Sequence, residues 1–409
     1  MGRDAARAAL SLINDRGPLG ECHNRIMRIF VSAGEASGEL YGARLIEALR
    51  EELRERGQTR GAEFFGVGGE AMREAGCDLI VDAHEIAVVG LAEVVRHLPR
   101  IYGLFREVVA AVDRRRPEIA VLIDFPDFNF RLARQLQRRG IPVVYYVSPQ
   151  LWAWRESRVR LVRKFVNKML VIFPFEQEFY AEHGVKAEFV GHPLIDGGQA
   201  SVDREQFAAR YKIDPAKTWI GLLPGSRQGE VSRIFPTLLK AAQLLGRDYV
   251  YIVPVASTLN EAWMRGFLPG DLAKDVVFTN DAQASLTHSR AAAVASGTST
   301  LQAALAGTPF VMVYNVAPLT WKLGRRLVKV ERFAMPNVIA GREILPELVQ
   351  DAFTAERVVG ELKRLLPEGG DRQRMMQEFS EVRQRLKVGA SDHNASRRAA
   401  RAILAELDH

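Results

Sequence analysis

The chain has 409 residues, 47% of them hydrophobic and 26% charged, with a formal net charge of +7. That length exceeds what one core ordinarily supports, so two domains are expected, and the balance of residue types is that of a folded chain rather than a disordered one. No apolar run approaches the ~20 residues that cross a bilayer, and Cys22 and Cys77, without a CxxC, beside eight histidines without HxH or HExxH spacing, argue against a disulfide scaffold and a protein-ligated zinc. The positive charge points to anionic partners, and the lack of any zinc-finger or RNP-type signature turns that away from nucleic acid.

Residues 1–26 carry Arg3, Asp4, Arg7, Asp15 and Arg16 with no sustained apolar core. They read as a flexible extension rather than a secretory signal, with Met27 an alternative start. From there strand-like and helix-like runs alternate. Met27–Ala33 is a β-rich run, followed by a segment with Leu40, Leu45, Ile46 and Leu49 at helical spacing. Further strand-like runs fall at Phe64–Val67, Ile119–Ile123, Val143–Val147, Met169–Ile172, Ile220–Leu223, Val250–Pro254, Val276–Thr279, Ala291–Ala295 and Phe310–Tyr314. Such alternation predicts an α/β chain of parallel βαβ units, doubly wound, with ligands at the carboxyl ends of the strands and in the cleft between two facing domains. A break at Gly191-His192-Pro193 sets the expected domains at 27–198 and 199–370, with charge-rich helices over 371–409 whose last part packs back on the first domain.

Several strand ends carry polar chemistry. Gly34-Glu35-Ala36-Ser37-Gly38-Glu39 follows the first strand and lets a ligand approach the backbone, although it is not a GxGxxG fingerprint. Gly66-Val67-Gly68-Gly69 is a second glycine turn. Ile123-Asp124-Phe125-Pro126-Asp127-Phe128-Asn129 places two carboxylates just after a strand, with phenylalanines that would raise a carboxyl pKa towards a general base's range. A helix cap at Asp127 and a turn at Asp124 are the plainer alternatives. The run from Tyr146 through Ser148 to Trp152, Trp154 and Arg155 gathers aromatics and a base in one loop.

The turns Leu222-Leu223-Pro224-Gly225-Ser226-Arg227 and Ala295-Ser296-Gly297-Thr298-Ser299-Thr300 each join a strand to a helix N-terminus. Unpaired N–H groups at the positive end of a helix dipole favour phosphate, and a pair of such turns, one with Arg227, suggests a diphosphate. Ordinary glycine turns remain the alternative for either one alone.

Taken in order, Gly34-to-Gly38, Ile123-to-Asn129, Tyr146-to-Pro149 with Trp152-Ala153-Trp154-Arg155, Gly191-His192-Pro193, Leu223-to-Arg227 with Glu230, Ser296-Gly297-Thr298 and Met335-Pro336-Asn337 resemble the lipid-A-disaccharide synthases, from about Met27 to the C-terminus. The resemblance implies a GT-B fold and an inverting, metal-independent transfer that needs no cofactor. Its substrates would be UDP-diacylglucosamine and diacylglucosamine 1-phosphate, its products UDP and a β-1,6-linked disaccharide. It further implies Asp124 as base and Arg227 as the charge that neutralises departing UDP. The nucleotide sugar would be held by Gly225, Ser226, Arg227, Glu230, Gly297, Thr298, Ser299, Gln302 and Asn337. Gly34, Glu35, Ser37, Gly38, Ser148 and Trp154 would line the acceptor side. The family usually has Glu where Gln302 stands, so ribose recognition here lacks charge assistance; Glu39 replaces a common Asp.

Acylated substrates imply work at the anionic inner face of the cytoplasmic membrane, by a peripheral protein or homodimer. Val88, Val89, Leu91, Val94, Val95, Leu98, Ile101 and Tyr102, with Arg96, His97 and Arg100, form the candidate apolar docking segment. Trp321, Lys322, Arg325, Arg326 and Lys329 add basic charge. The competing readings are a UDP-amino-sugar epimerase of the same architecture and a catalytically silent nucleotide- or lipid-binding protein.

Overall fold

The computed structural model describes residues 26–34, 36–57, 61–87, 94–196, 202–324, 331–388 and 394–408. The expected N-terminal extension therefore lies almost wholly outside the described residues. Each predicted strand-like run forms a strand: β1 Met27–Ala33, β2 Ala62–Gly68, β4 Ile119–Ile123, β5 Val143–Tyr146, β6 Lys168–Val171, β8 Thr218–Leu223, β9 Tyr249–Pro254, β10 Val276–Thr279, β11 Ala291–Ala295 and β12 Phe310–Tyr314. Among the described residues three further strands are β3 Cys77–Asp82, β7 Ala187–Phe189 and β13 Glu347–Val349. All three lie at sheet edges, where burial on fewer sides leaves a weaker apolar signature.

The strands form two sheets, in the orders β3-β2-β1-β4-β5-β6-β7 and β10-β9-β8-β11-β12-β13. The pairings that flank β1 and β8 are parallel, with Ala33 opposite Ile123 and Val294 opposite Leu223. These are doubly wound, Rossmann-like sheets. In each, the order reverses at one point, between β1 and β4 and between β8 and β11, and a crevice opens there beyond the carboxyl ends of the strands.

By packing, the chain separates into one compact unit ending at Val144 and completed by residues from Ala400, and another of Tyr145–Ala399. In the first, Ile29, Phe30, Val31, Val121, Leu122 and Ile123 have no exposure. That burial on both faces of the sheet is why these runs are continuously apolar. Each such side chain contributes roughly 1.5–3 kcal/mol relative to exposure. The end of the chain joins this unit through Arg401 to Glu52 at 2.9 Å and Asp408 to Arg56 at 3.2 Å. In the second unit, Phe207, Trp219, Ile252 and Ala284 belong to one buried cluster. The alanines of β11 are wholly or almost wholly buried, and a Cβ on Gly221 would lie 3.2 Å from that of Ala292, so small residues set the spacing there.

Of the candidate docking segment, Val88, Val89 and Leu91 lie outside the described residues. A helix covers Val94–Arg115, so Val94, Val95, Leu98 and Ile101 share one element, preceded by a short helix at His84–Ala87. Arg100 bonds Glu85 at 2.7 Å, and Tyr102 is 65% exposed. Further along, Phe105 meets Phe128 edge-on.

Candidate active site

In the first unit, the residues after β1 and β4 face one another at the switch point. The backbone after β4 is unusual: Asp124 has φ 44° and Phe125 φ 51°, two successive non-glycine residues in the left-handed region. Such conformations cost of order 1–3 kcal/mol each and persist only where surroundings enforce them. Here the enforcement is visible. The fully buried Asn129 donates its amide to the carbonyls of Asp124 (2.9 Å) and Ile123 (3.2 Å), while its Oδ1 accepts from Ser32 Oγ at 2.7 Å. The Phe125 ring stacks on Phe128 and lies against Gly34, where any Cβ would overlap it. Pro126 then opens the helix Pro126–Gln137 with its φ already suited to the first turn.

The outcome is a half-buried Asp124 at the mouth of the crevice. Its charge helps push the buried Tyr41 hydroxyl upward, after burial itself, while Arg44 opposes. The cap of the following helix is Phe125, so the plainer role of Asp127 as cap does not hold; Asp127 is exposed in the first turn. Ser37 and Gly38 lie in the first turn of the helix Ala36–Glu55, and a Cβ on Gly38 would meet only ordinary contacts. Glu35 is outside the described residues. Glu39 spends its longer side chain on the neighbouring helix, accepting from Ala71 N–H at 2.7 Å. Gly66 sits within β2, at a register shift against β3.

The second unit repeats the geometry with different residues. Beyond β8, Gly225 has φ 116°, and Arg227 caps the helix Gln228–Leu245 without a side-chain cap bond. A Cβ on Gly225 would overlap the Glu230 carboxylate, which accepts from Ser226 N–H at 3.0 Å. Burial pushes Glu230 up from the usual carboxylate range, against the pull of the Ser226 N–H and Arg227. Glu230 thus fills the loop from within, where a ligand's phosphate would otherwise meet the Ser226 N–H. Arg227 and Ser226 are exposed. Beyond β11, Gly297 has φ 139° and caps Thr298–Ala306, again with no side-chain cap. Thr298 is exposed, Ser299 half-buried, and Gln302 half-buried one turn into the helix.

Asn337 is placed differently from Ser299 and Gln302. It is fully buried and its amide is filled: Nδ2 donates to Leu345 O (3.0 Å) and Glu347 (2.8 Å), and Oδ1 accepts from Ile344 and Leu345 N–H. Those bonds exhaust an amide's capacity, so Asn337 positions backbone rather than offering a free donor. Glu347 also accepts the N–H groups of Phe333 and Ala334, and Ser296 Oγ donates to Phe333 O. This network ties the Met335-Pro336-Asn337 segment to the Gly297 turn.

Ser148 is buried, bonding Tyr180 Oη at 2.7 Å and Pro149 O at 2.8 Å, after a strained Val147 with φ 62°. Trp154 is 44% exposed with the Arg155 guanidinium 3.9 Å over its ring. Beneath this loop lies Glu176, with no exposure, accepting from Trp152 Nε1 (3.3 Å) and Phe173 N–H (3.1 Å). Burial pushes its carboxyl up to about 8, against those hydrogen bonds. Sequence reasoning missed Glu176 and Glu347 and read Asn129 only as part of a motif. For Glu176 a signal existed: Pro174 then Glu176 after a strand has the spacing of a helix start with a carboxylate reaching back to the cap. Among the described residues, no group of three or more His, Cys, Asp or Glu is placed to hold a metal ion.

Two Rossmann-like parallel sheets, each with its turns at a switch point, define the fold class, that of the GT-B glycosyltransferases and the epimerases that share their architecture. Solved structures agree on the fold: a UDP co-structure of S. aureus MnaA aligns with a TM-score of 0.64 at 14% identity, covering 94% of this chain and 97% of that one. The glycotransferase of kitacinnamycin aligns at 0.61 and 16% identity, covering 93% and 99%. The family model of lipid-A-disaccharide synthetase matches residues 29–403. The lipid-A-disaccharide synthase of Koribacter versatilis (strain Ellin345) is 56% identical over 380 residues, 93% of this chain and 98% of that relative. A second, from Acidobacterium capsulatum, is 48% identical over 377 residues, 89% of this chain and 92% of that relative. The chain belongs to the lipid-A-disaccharide synthase family, and it is a glycosyltransferase.

Proposed function

We propose that this glycosyltransferase joins the diacylglucosamine of UDP-diacylglucosamine to diacylglucosamine 1-phosphate. Asp124 takes the proton from the acceptor hydroxyl as its oxygen attacks the anomeric carbon. The bond from that carbon to UDP breaks on the opposite face, which inverts the configuration and gives a β-1,6 link. Arg227, at the cap of a helix whose dipole points the same way, neutralises the charge that collects on the departing diphosphate. Its planar fork suits two phosphate oxygens, which Lys would not match. The N–H groups and hydroxyls of Thr298 and Ser299 serve the nucleotide, and Gln302 accepts from the ribose.

The observation that carries the reading is Asp124 itself. A carboxylate is held in costly left-handed backbone by a buried amide, at the end of a strand bordering a switch point, where a glycine would be cheaper if only a turn were needed. The domains at 27–198 and 199–370 would carry acceptor and donor respectively. Among the described residues no helix is long and apolar enough to cross a membrane, and docking of the Ile86–Tyr102 segment with its basic residues at the anionic inner leaflet supplies the acylated substrates. The test is conversion of radiolabelled diacyl donor and acceptor into a disaccharide in detergent micelles. Release or rearrangement of a water-soluble sugar nucleotide instead would favour the epimerase.

A further inference from the structure

At the opposite end of the second sheet from Gly225 and Gly297, by about the 20 Å that a six-residue strand spans, the amino ends of β8 and β11 border a cavity of about 350 Å³. Arg204, Lys217, Arg290 and Arg372 line it together with Trp219 and His288, and no carboxylate does. The cations are held mostly by backbone carbonyls. Arg204 lies 3.6 Å over the Trp219 ring and donates to His288 O (2.7 Å) and Lys217 O (3.1 Å). Arg372, 9% exposed, donates to the carbonyls of Arg290 and Leu365. Beside the lining, the exposed Glu368 pairs with Arg290 at 2.5 Å and reaches Arg372 at 4.0 Å, and Asp275 lies 3.6 Å from Lys217. Two carboxylates against four cations leave an excess of two positive charges, and among the described residues no carboxylate pairs with Arg204. Carbonyl bonds orient a guanidinium but do not cancel its charge, and two of its five donors are used here. Burial lowers the pKa of Arg204, and burial followed by the neighbouring Arg290 lowers that of Arg372 against the pull of Glu368.

We propose that this basin is a binding site for a phosphate monoester, separate from the nucleotide site at the other end of the same sheet. A monoester carries close to two negative charges at neutral pH and three acceptor oxygens, which match the excess charge and the fork geometry of the arginines. The same chemistry is offered by a soluble sugar phosphate and by a monoester lipid headgroup such as that of phosphatidic acid.

The test uses the full chain saturated with UDP, so that the nucleotide site is occupied, and follows thermal unfolding and Trp fluorescence on titration with inorganic phosphate against chloride at matched ionic strength. Saturable stabilisation is expected, weakened about tenfold or more by R204Q, as loss of a charge-assisted contact implies, and also weakened by K217Q, with UDP affinity unchanged. Because Arg204 braces Trp219, R204Q risks misfolding; Lys217 is at the rim, and K217Q decides the matter alone in that case. A second arm compares co-sedimentation with phosphatidylcholine vesicles with and without phosphatidic acid. Binding that needs phosphatidic acid and is lost in K217Q assigns the site to a lipid headgroup, whereas saturable phosphate binding without it assigns a soluble ester. No variant-sensitive binding of phosphate or of phosphatidic acid vesicles overturns the proposal, as does an equal response in wild type and K217Q.

Discussion

The carboxyl end of β4 and the carboxyl ends of β8 and β11 solve the same geometric problem with opposite residues. All three must turn sharply out of a buried strand into a helix at a switch point. At β8 and β11 the left-handed positions are Gly225 and Gly297, whereas at β4 they are Asp124 and Phe125. Glycine suits a site whose donors are backbone N–H groups, since it brings the chain close to a diphosphate without strain. If Asp124 is the proposed base, glycine cannot stand there, and the strain is held down by the Asn129 amide and by the Phe125 ring packed on Gly34. The contrast is that glycine leaves the backbone of the β8 and β11 turns open to a ligand, whereas the β4 turn keeps a carboxylate at its strained position, as the proposed chemistry requires.

The sharpest way to break the comparison is D124N, which keeps the shape and removes the base. Turnover should fall by roughly 10²–10⁴-fold while UDP binding by calorimetry is kept; near wild-type turnover would remove Asp124 from the chemistry. R227A should come next, losing about 2–4 kcal/mol of transition-state stabilisation by analogy with an oxyanion donor, measured as kcat in the micelle assay. R227K should recover little of it, and full recovery would mean that a point charge suffices.

Glycine replacements sharpen the other side. Left-handed strain alone costs roughly 1–3 kcal/mol, and G297A should pay only that, because a Cβ there meets open space. G225A must in addition displace Glu230, so it should lose more stability in urea unfolding and more UDP affinity than G297A. The reverse order would show that Glu230 does not hold this loop.

A separate test concerns pH. Glu176 has its carboxyl raised from 4.5 to about 8 in the folded chain, so between those values the folded state keeps a proton that the unfolded state has released. Its contribution is full below that window and lost as pH rises through it, by at most about 1.4 kcal/mol per pH unit. E176Q should flatten that slope between pH 5 and 8 in chemical unfolding, and an unchanged slope would place the titration elsewhere.

Ten of the strands could be read in advance because burial on both faces writes them as unbroken apolar runs. The sheet edges β3, β7 and β13 could not. The turns at Gly34, Asp124, Gly225 and Gly297 were legible for the same reason: each stands directly after such a run. What escaped was the support beneath them. The spacing of Glu176 after Pro174 marks a helix start, but no local pattern shows that it and Glu347 are buried and bonded to Trp152 and to Phe333, 24 and 14 residues away. Asn337 was legible as a polar residue in its motif, but that its amide is filled by Leu345 and Glu347 depends on contacts eight and ten residues away.

By itself, then, the sequence determined the doubly wound α/β alternation, the strand ends that bear the polar motifs and the family, since all of these are local patterns of apolar runs, turns and ordered motifs. Only the tertiary structure decided which polar side chains remain at those ends to act and which are consumed in holding them. That division rests on hydrogen bonds between residues distant in the chain, and a one-dimensional pattern cannot encode how a buried donor finds its acceptor.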